Sequence, residues 1–205
     1  MTLKVGVFIV IEGIDGAGKT LHSKNLCLQL HRRGYLARYT AEPSGNVIGR
    51  LLRREFLNRR KAPPEVETLL FAADRLQHLR DEVVPTLRRG GIVVSDRYLY
   101  ASIAYQGAQK VDIEWIRYVN RFAPKPDLAI YLDVPAEVAM SRIRRGRSLM
   151  ERLEFEKKVR AIYLKLVKDG ELTYIDGDRP VEDVDKDILN LTMEAITKKH
   201  RVGAR

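Results

Sequence analysis

Gly13-Ile14-Asp15-Gly16-Ala17-Gly18-Lys19-Thr20 fits the pattern G-x-x-x-x-G-K-[ST] at every required position. Before it runs Val5-Gly6-Val7-Phe8-Ile9-Val10-Ile11, a mostly apolar stretch that reads as a buried strand. After it, Leu21 to Arg33 carries Leu26, Leu28 and Leu30 and stops at Gly34, the pattern of a helix with a glycine end. Strand, glycine-rich turn and helix are the context this motif needs. The glycines let backbone N–H groups converge on an anion, and the helix beginning near Lys19 adds the positive end of its dipole. Lys19 then reaches the β- and γ-phosphates of a nucleoside triphosphate, and the Thr20 hydroxyl is placed to hold Mg²⁺. The loop implies ATP-type binding without saying what is done with the phosphate.

Outward from the loop, 205 residues with 45% hydrophobic content suit one α/β domain with a full core and exclude a disordered chain. No apolar run approaches the ~20 residues of a membrane helix, so no membrane partner is expected. Met1-Thr2-Leu3-Lys4 leads straight into the first strand with no cleavage site, which predicts a cytoplasmic protein. The single cysteine, Cys27, excludes an internal disulfide and falls in the first helix as a small buried filler. The net charge of +10 fits a basic surface with a site for small polyanions. No nucleic-acid-binding motif accompanies it, so no nucleic-acid partner is expected.

Strands and helices alternate along the chain. Leu36–Ala41, Ile92–Ser95, Asp127–Val134 and Leu172–Ile175 read as further strands. Val47–Arg60 reads as an amphipathic basic helix, and Glu65 to Arg89 as a long helix that Pro85 should kink or break. Leu99–Gln106, Asp112–Phe122, Glu151–Lys168 and Val181–Lys198 are also helical, and Pro135 opens one more helix at its first turn. Alternation of this kind means crossover units and a parallel sheet. We expect a single domain over residues 1–205, with a basic, frayed tail at about 198–205.

The third strand ends at Asp96-Arg97, an acid for a metal and an arginine for a phosphate acceptor. No N-K-x-D base-reading motif appears, which excludes a guanine-nucleotide switch. The late cluster Arg142-Ile143-Arg144-Arg145-Gly146-Arg147 suits a flap that closes over a transferring phosphate.

Taken together, Glu12–Thr20, Glu42-Pro43, Leu70-Phe71-Ala72-Ala73-Asp74-Arg75, Asp96-Arg97-Tyr98, Ala104-Tyr105-Gln106-Gly107 and Pro126–Val134 resemble the thymidylate kinases. The resemblance covers most of the chain. It implies a three-layer P-loop kinase fold, a five-stranded parallel sheet flanked by helices, with an Arg-rich lid at about 142–152. It implies transfer of the γ-phosphate of ATP to dTMP with Mg²⁺, giving dTDP and ADP for dTTP synthesis, and a homodimer. Another nucleoside or nucleotide kinase with a different or broader acceptor is the alternative.

By the same resemblance Gly13, Ile14, Asp15, Gly16, Ala17, Gly18, Lys19 and Thr20 bind ATP, while Thr20 and Asp96 serve the metal. Phe71 stacks on the thymine, Arg75 reaches the base O4, and Ser102 lies at the base edge. Arg97 grips the acceptor phosphate and Asp15 approaches it with the 3′-hydroxyl. Tyr105 presses against C2′, and Glu42 and Gln106 complete the acceptor site. The Glu42–Pro43 peptide bond should be cis. Two departures matter. Ala41 stands where many bacterial members carry arginine. Gly16 stands where some members carry a P-loop arginine, so the catalytic arginine must come from the flap, with Arg145 and Arg147 foremost beside Arg142 and Arg144.

Overall fold

The computed structural model describes residues 6–56, 62–143 and 149–203. Five strands form one all-parallel sheet in the order β2-β3-β1-β4-β5: β1 Val7–Glu12, β2 Ala37–Ala41, β3 Ile92–Asp96, β4 Leu128–Asp133 and β5 Thr173–Asp176. Every residue of β1 and β3 is buried, as their unbroken apolar runs require in a sheet covered on both faces. Both strands run one residue further than their apolar stretches and so end on an acid, Glu12 and Asp96. Ile11 and Asp96 are in register.

After β1 the chain crosses to β2 at the sheet edge, returns through β3, and then passes to β4 on the other side of β1. Strand order reverses beside β1, and its C-terminal end is where an open α/β sheet gathers ligands. The glycine-rich turn sits there and leads into α1 (Lys19–Arg32). This helix packs against α9 (Val181–Gly203) and the sheet. Cys27 is buried in α1, and burial pushes its thiol up to about 12, in keeping with a filler.

The helical stretch continues through Pro85 without a break. It runs as α3 (Pro64–His78), a π turn over Leu79–Val83, and α4 (Val84–Arg88). Val84 N–H bonds back to Leu79 O, so the wider turn absorbs the ladder bond that proline cannot donate. Val47–Arg60 likewise departs from one regular helix. It is α2 (Val47–Leu51) followed by a π turn to Phe56, and residues 57–61 lie outside the described set.

The remaining helices are α5 (Leu99–Ala108), α6 (Ile113–Val119), α7 (Ala136–Ser141) and α8 (Leu149–Lys168). Asp112 and Pro135 stand just outside their helices. The Asp112 carboxylate caps α6 by accepting Trp115 N–H at 2.7 Å. α9 continues through Lys198 to Gly203, and Lys199 pairs with Asp127 at 2.6 Å; residues 204–205 of the expected tail lie outside the described residues. Asp127 also accepts Phe8 N–H at 2.9 Å, so this pair ties α9 to the central strand. The Glu42–Pro43 bond is cis. Much of the proposed lid, residues 144–148 with Arg144, Arg145 and Arg147, lies outside the described residues.

Candidate active site

The turn after β1 is built on glycines that cannot be exchanged freely. Gly16 (φ 86°) and Gly18 (φ 90°) sit in the left-handed region that side chains disfavour. A Cβ on Gly16 would stand 2.2 Å from the Ala139 carbonyl oxygen of α7. An arginine at this position has no room. Lys19 is buried, and its ammonium donates to Ile14 O at 2.8 Å. Burial, with Arg97 beside it, lowers its pKa to about 8.

Thr20 Oγ1 donates to Asp96 Oδ2, while Asp96 Oδ1 is buried with no hydrogen-bond partner. A hydroxyl and a carboxylate with a spare oxygen are the hard ligands Mg²⁺ uses when phosphates complete its shell. The residues therefore fit the ion.

A cavity of about 270 Å³ lies between α3 and α5. Phe71 and Arg75, four residues apart on α3, both face it. Arg75 is 1% exposed and is no solvated helix charge. It donates to Glu42 Oε2 (2.9 Å), Asn120 Oδ1, Tyr98 O (3.1 Å) and Ser102 Oγ (3.1 Å). The other Glu42 oxygen accepts from His78 Nδ1 at 3.2 Å, and His78 Nε2 lies 2.6 Å from the Thr40 hydroxyl. Glu42 thus lines the cavity with both oxygens engaged, holding Arg75 in place. Ser102 and Gln106 are buried one turn apart on α5, and Gln106 Oε1 lacks a partner.

At the opposite end the same cavity reaches Asp15, Arg97 and Tyr105. Arg97 has φ 75°, a strained backbone for arginine, held by its N–H bond to Ile11 O at 3.0 Å. Its guanidinium donates to Asp15 and lies 4.8 Å from the Tyr105 ring centre. Burial raises the Asp15 pKa, but Arg97, Lys19 and Arg152 outweigh it and hold the carboxyl below its ordinary value. Arg152 of α8 reaches Asp15 at 3.3 Å. The Tyr105 hydroxyl, its pKa pushed well up by burial, sits 3.3 Å from Glu156 Oε2.

A second cavity lies over the glycine-rich turn, lined by Gly16, Gly18, Lys19, Thr20, Asp96 and Arg142. It shares Asp15 and Arg97 with the first. Two sites therefore meet at one acid–arginine pair, a geometry suited to passing a group from one bound molecule to another. Arg142 pairs with Asp178 at 2.9 Å on the rim.

A sequence profile describing the thymidylate kinases matches residues 11–188. The chain belongs to the thymidylate kinase family. It is 42% identical to a probable thymidylate kinase of Thermococcus onnurineus over 94% of this chain and 100% of that one. It is 43% identical to one of Pyrobaculum calidifontis over 95% and 100%. It is 39% identical to one of Thermococcus gammatolerans over 94% and 98%.

In this family member, most of the residues singled out in the sequence line the two joined cavities; Gly13, Ile14 and Ala17 of the turn line neither, and Arg144, Arg145 and Arg147 lie outside the described residues. Sequence reading gave no role to Glu12, Arg152 or Glu156. Arg152 fell at the end of the expected lid and Glu156 within an expected helix, neither with a role of its own. Glu12 stood at the edge of the quoted motif, but its side-chain partners lie 86 and 151 residues away in sequence. An acid ending an apolar strand was the available signal.

Proposed function

We propose that this protein transfers the γ-phosphate of ATP to dTMP, giving dTDP and ADP for dTTP synthesis. The observation that carries this reading is the pair of cavities joined at Asp15 and Arg97. The relatives' printed names supply the acceptor.

The acceptor lies in the α3–α5 cavity. Phe71 offers a ring face for the thymine, worth roughly 1–3 kcal/mol of stacking. The unpartnered Gln106 oxygen suits the ring N3–H of a keto pyrimidine, with Arg75 and Ser102 completing the base edge. Arg97 takes the acceptor phosphate, and guanidinium geometry suits that role. Asp15 faces the sugar and this phosphate, and Tyr105 lies beneath C2′.

The glycine-rich turn from Gly13 to Thr20 cradles ATP, with Lys19 neutralising its phosphates. Thr20 and Asp96 would hold Mg²⁺, which would supply neutralisation of phosphate charge. The acceptor phosphate is largely dianionic at neutral pH because its second pKa is ~6, so no general base is needed. Alignment and charge neutralisation carry the reaction. Arg145 and Arg147 are the foremost flap residues for the transition state.

Val66, Leu69 and Leu76 expose an apolar stripe on α3, and Tyr118 and Phe122 expose rings at the α6 end. Such patches support a homodimer through this side. Elution at twice the chain mass in size-exclusion chromatography with light scattering is the expected result. The cytoplasm is the compartment this reading assigns.

The test is an acceptor panel with ATP and Mg²⁺: dTMP, dUMP, dCMP, dGMP and thymidine. dTMP should exceed dCMP in kcat/KM by about 100-fold or more, because cytosine leaves the Gln106 oxygen without a donor. Equal turnover of dCMP or thymidine would contradict the assignment.

A further inference from the structure

Glu12 closes β1 and is fully buried, yet it lines neither cavity. Its Oε1 accepts Tyr98 N–H at 2.8 Å and Ala101 N–H at 3.2 Å, while Oε2 accepts the Tyr163 hydroxyl of α8 at 2.8 Å. Tyr98 and Ala101 are the N-cap and third residue of α5, in the first turn, where backbone donors lack the usual acceptor four residues back; Ala101 N–H also reaches Tyr98 O at 3.1 Å. The Tyr98 side chain makes no cap of its own. A side chain from the central strand therefore does the capping.

Arg97 directly precedes this cap and is held to the same strand by its bond to Ile11 O. Ser102, Tyr105 and Gln106 follow on α5, and α8 carries Arg152 and Glu156 toward Asp15 and Tyr105. Gly13, the first residue of the phosphate-binding turn, is the next residue after Glu12. Acceptor and donor elements thus hang from one carboxylate. We infer that Glu12 is a positioning residue, whose reach fixes Arg97 and the acceptor-binding face of α5 against the phosphate-binding turn.

The inference rests on assigning the α3–α5 cavity to the acceptor. Wild-type turnover of dTMP tests that assignment, and the ratio of variant to wild type tests Glu12. The experiment compares Glu12→Asp, which keeps charge and acceptors but shortens the reach, with Glu12→Gln, which keeps reach and loses charge. Turnover is scaled to the stoichiometry of ATP binding, so loss of folded protein is not counted. Glu12→Asp should lower kcat by about tenfold or more and raise the KM for dTMP, with the Kd for ATP within about twofold. Glu12→Gln should stay within about threefold of wild type.

A Glu12→Asp enzyme with kcat and dTMP KM within about twofold of wild type would overturn the inference. So would a Glu12→Gln enzyme as impaired as Glu12→Asp. Should Glu12→Asp fail to fold, Tyr163→Phe removes the same carboxylate's tie to α8. It should lower kcat by about threefold or more at unchanged ATP affinity, and unchanged kcat and KM would overturn the proposal.

Discussion

Gly16 has the least freedom of any residue in the phosphate-binding turn. Its φ of 86° costs a non-glycine residue roughly 1–2 kcal/mol, and a Cβ would press into Ala139 of α7. Gly16→Ala should therefore lower unfolding stability by about that much or more and weaken ATP binding, read by urea denaturation and calorimetric titration. Tyr105 has a different task. Its buried phenol lies against Arg97 and Glu156, under the assigned position of C2′. A 2′-hydroxyl there would be buried without an assured partner, at about 1–3 kcal/mol. dTMP should beat ribothymidine monophosphate in kcat/KM by roughly 10- to 100-fold, and Tyr105→Ala should bring that ratio toward one while leaving base choice alone. A ratio unchanged in the variant would place sugar selectivity elsewhere.

Glu12 links the residue to pH. Burial pushes its carboxyl from the ordinary 4.5 to about 7, against the lowering effects of Arg97 and Tyr163. The folded state thus holds this proton more tightly than the unfolded chain. The stabilisation is full below pH 4.5, falls as pH rises through 7, and then levels off. The slope is at most about 1.4 kcal/mol per pH unit. Asp15, shifted the other way, acts in a separate window below its ordinary 3.8. Denaturant unfolding from pH 4.5 to 8 should show wild type losing stability relative to Glu12→Gln across this range. Parallel curves would contradict the assignment.

Among elements, the strand–turn–helix of β1 and α1 was legible because its signals are local: an apolar run, glycines at fixed offsets, then helical spacing. The Phe71–Arg75 pair came from the family resemblance, its four-residue spacing adding only that both share a helix face. The turn at Leu79–Val83 was not, because proline announces a lost hydrogen bond without saying how the chain absorbs it. The left-handed backbone of Arg97 was also hidden, since it is held by bonds with Ile11 O and the Ser95 hydroxyl that the sequence does not reveal. The continuation of α9 past Lys198 depends on Lys199 finding Asp127, 72 residues away, which a basic run does not reveal. The flap belongs to this scale too. With no room for a side chain at Gly16, one of Arg145 and Arg147 should, as alanine, lower kcat by ~10²-fold with little change in the Kd for dTMP. Near-normal kcat in both variants and in Arg142→Ala and Arg144→Ala would remove the flap from the chemistry.

For the whole molecule, the parallel sheet places Glu12, Asp96 and Asp133 at the same ends of adjacent strands, with the phosphate-binding turn among them. Asp133 is held by Arg160 of α8 in a two-pronged pair at 2.8 Å, so α8 is anchored to the sheet there as well as through Tyr163. The architecture thus gathers two cavities around the end of one strand and joins them at Asp15 and Arg97. The central claim is that ATP turnover is phosphate transfer between those sites. Its most direct test is ADP release from ATP and Mg²⁺, measured with and without dTMP and with and without DNA or RNA. The account predicts ADP formation that depends on dTMP, matches dTDP mole for mole, and ignores nucleic acid. ADP release at the same rate without dTMP, or stimulated by DNA or RNA, would contradict it.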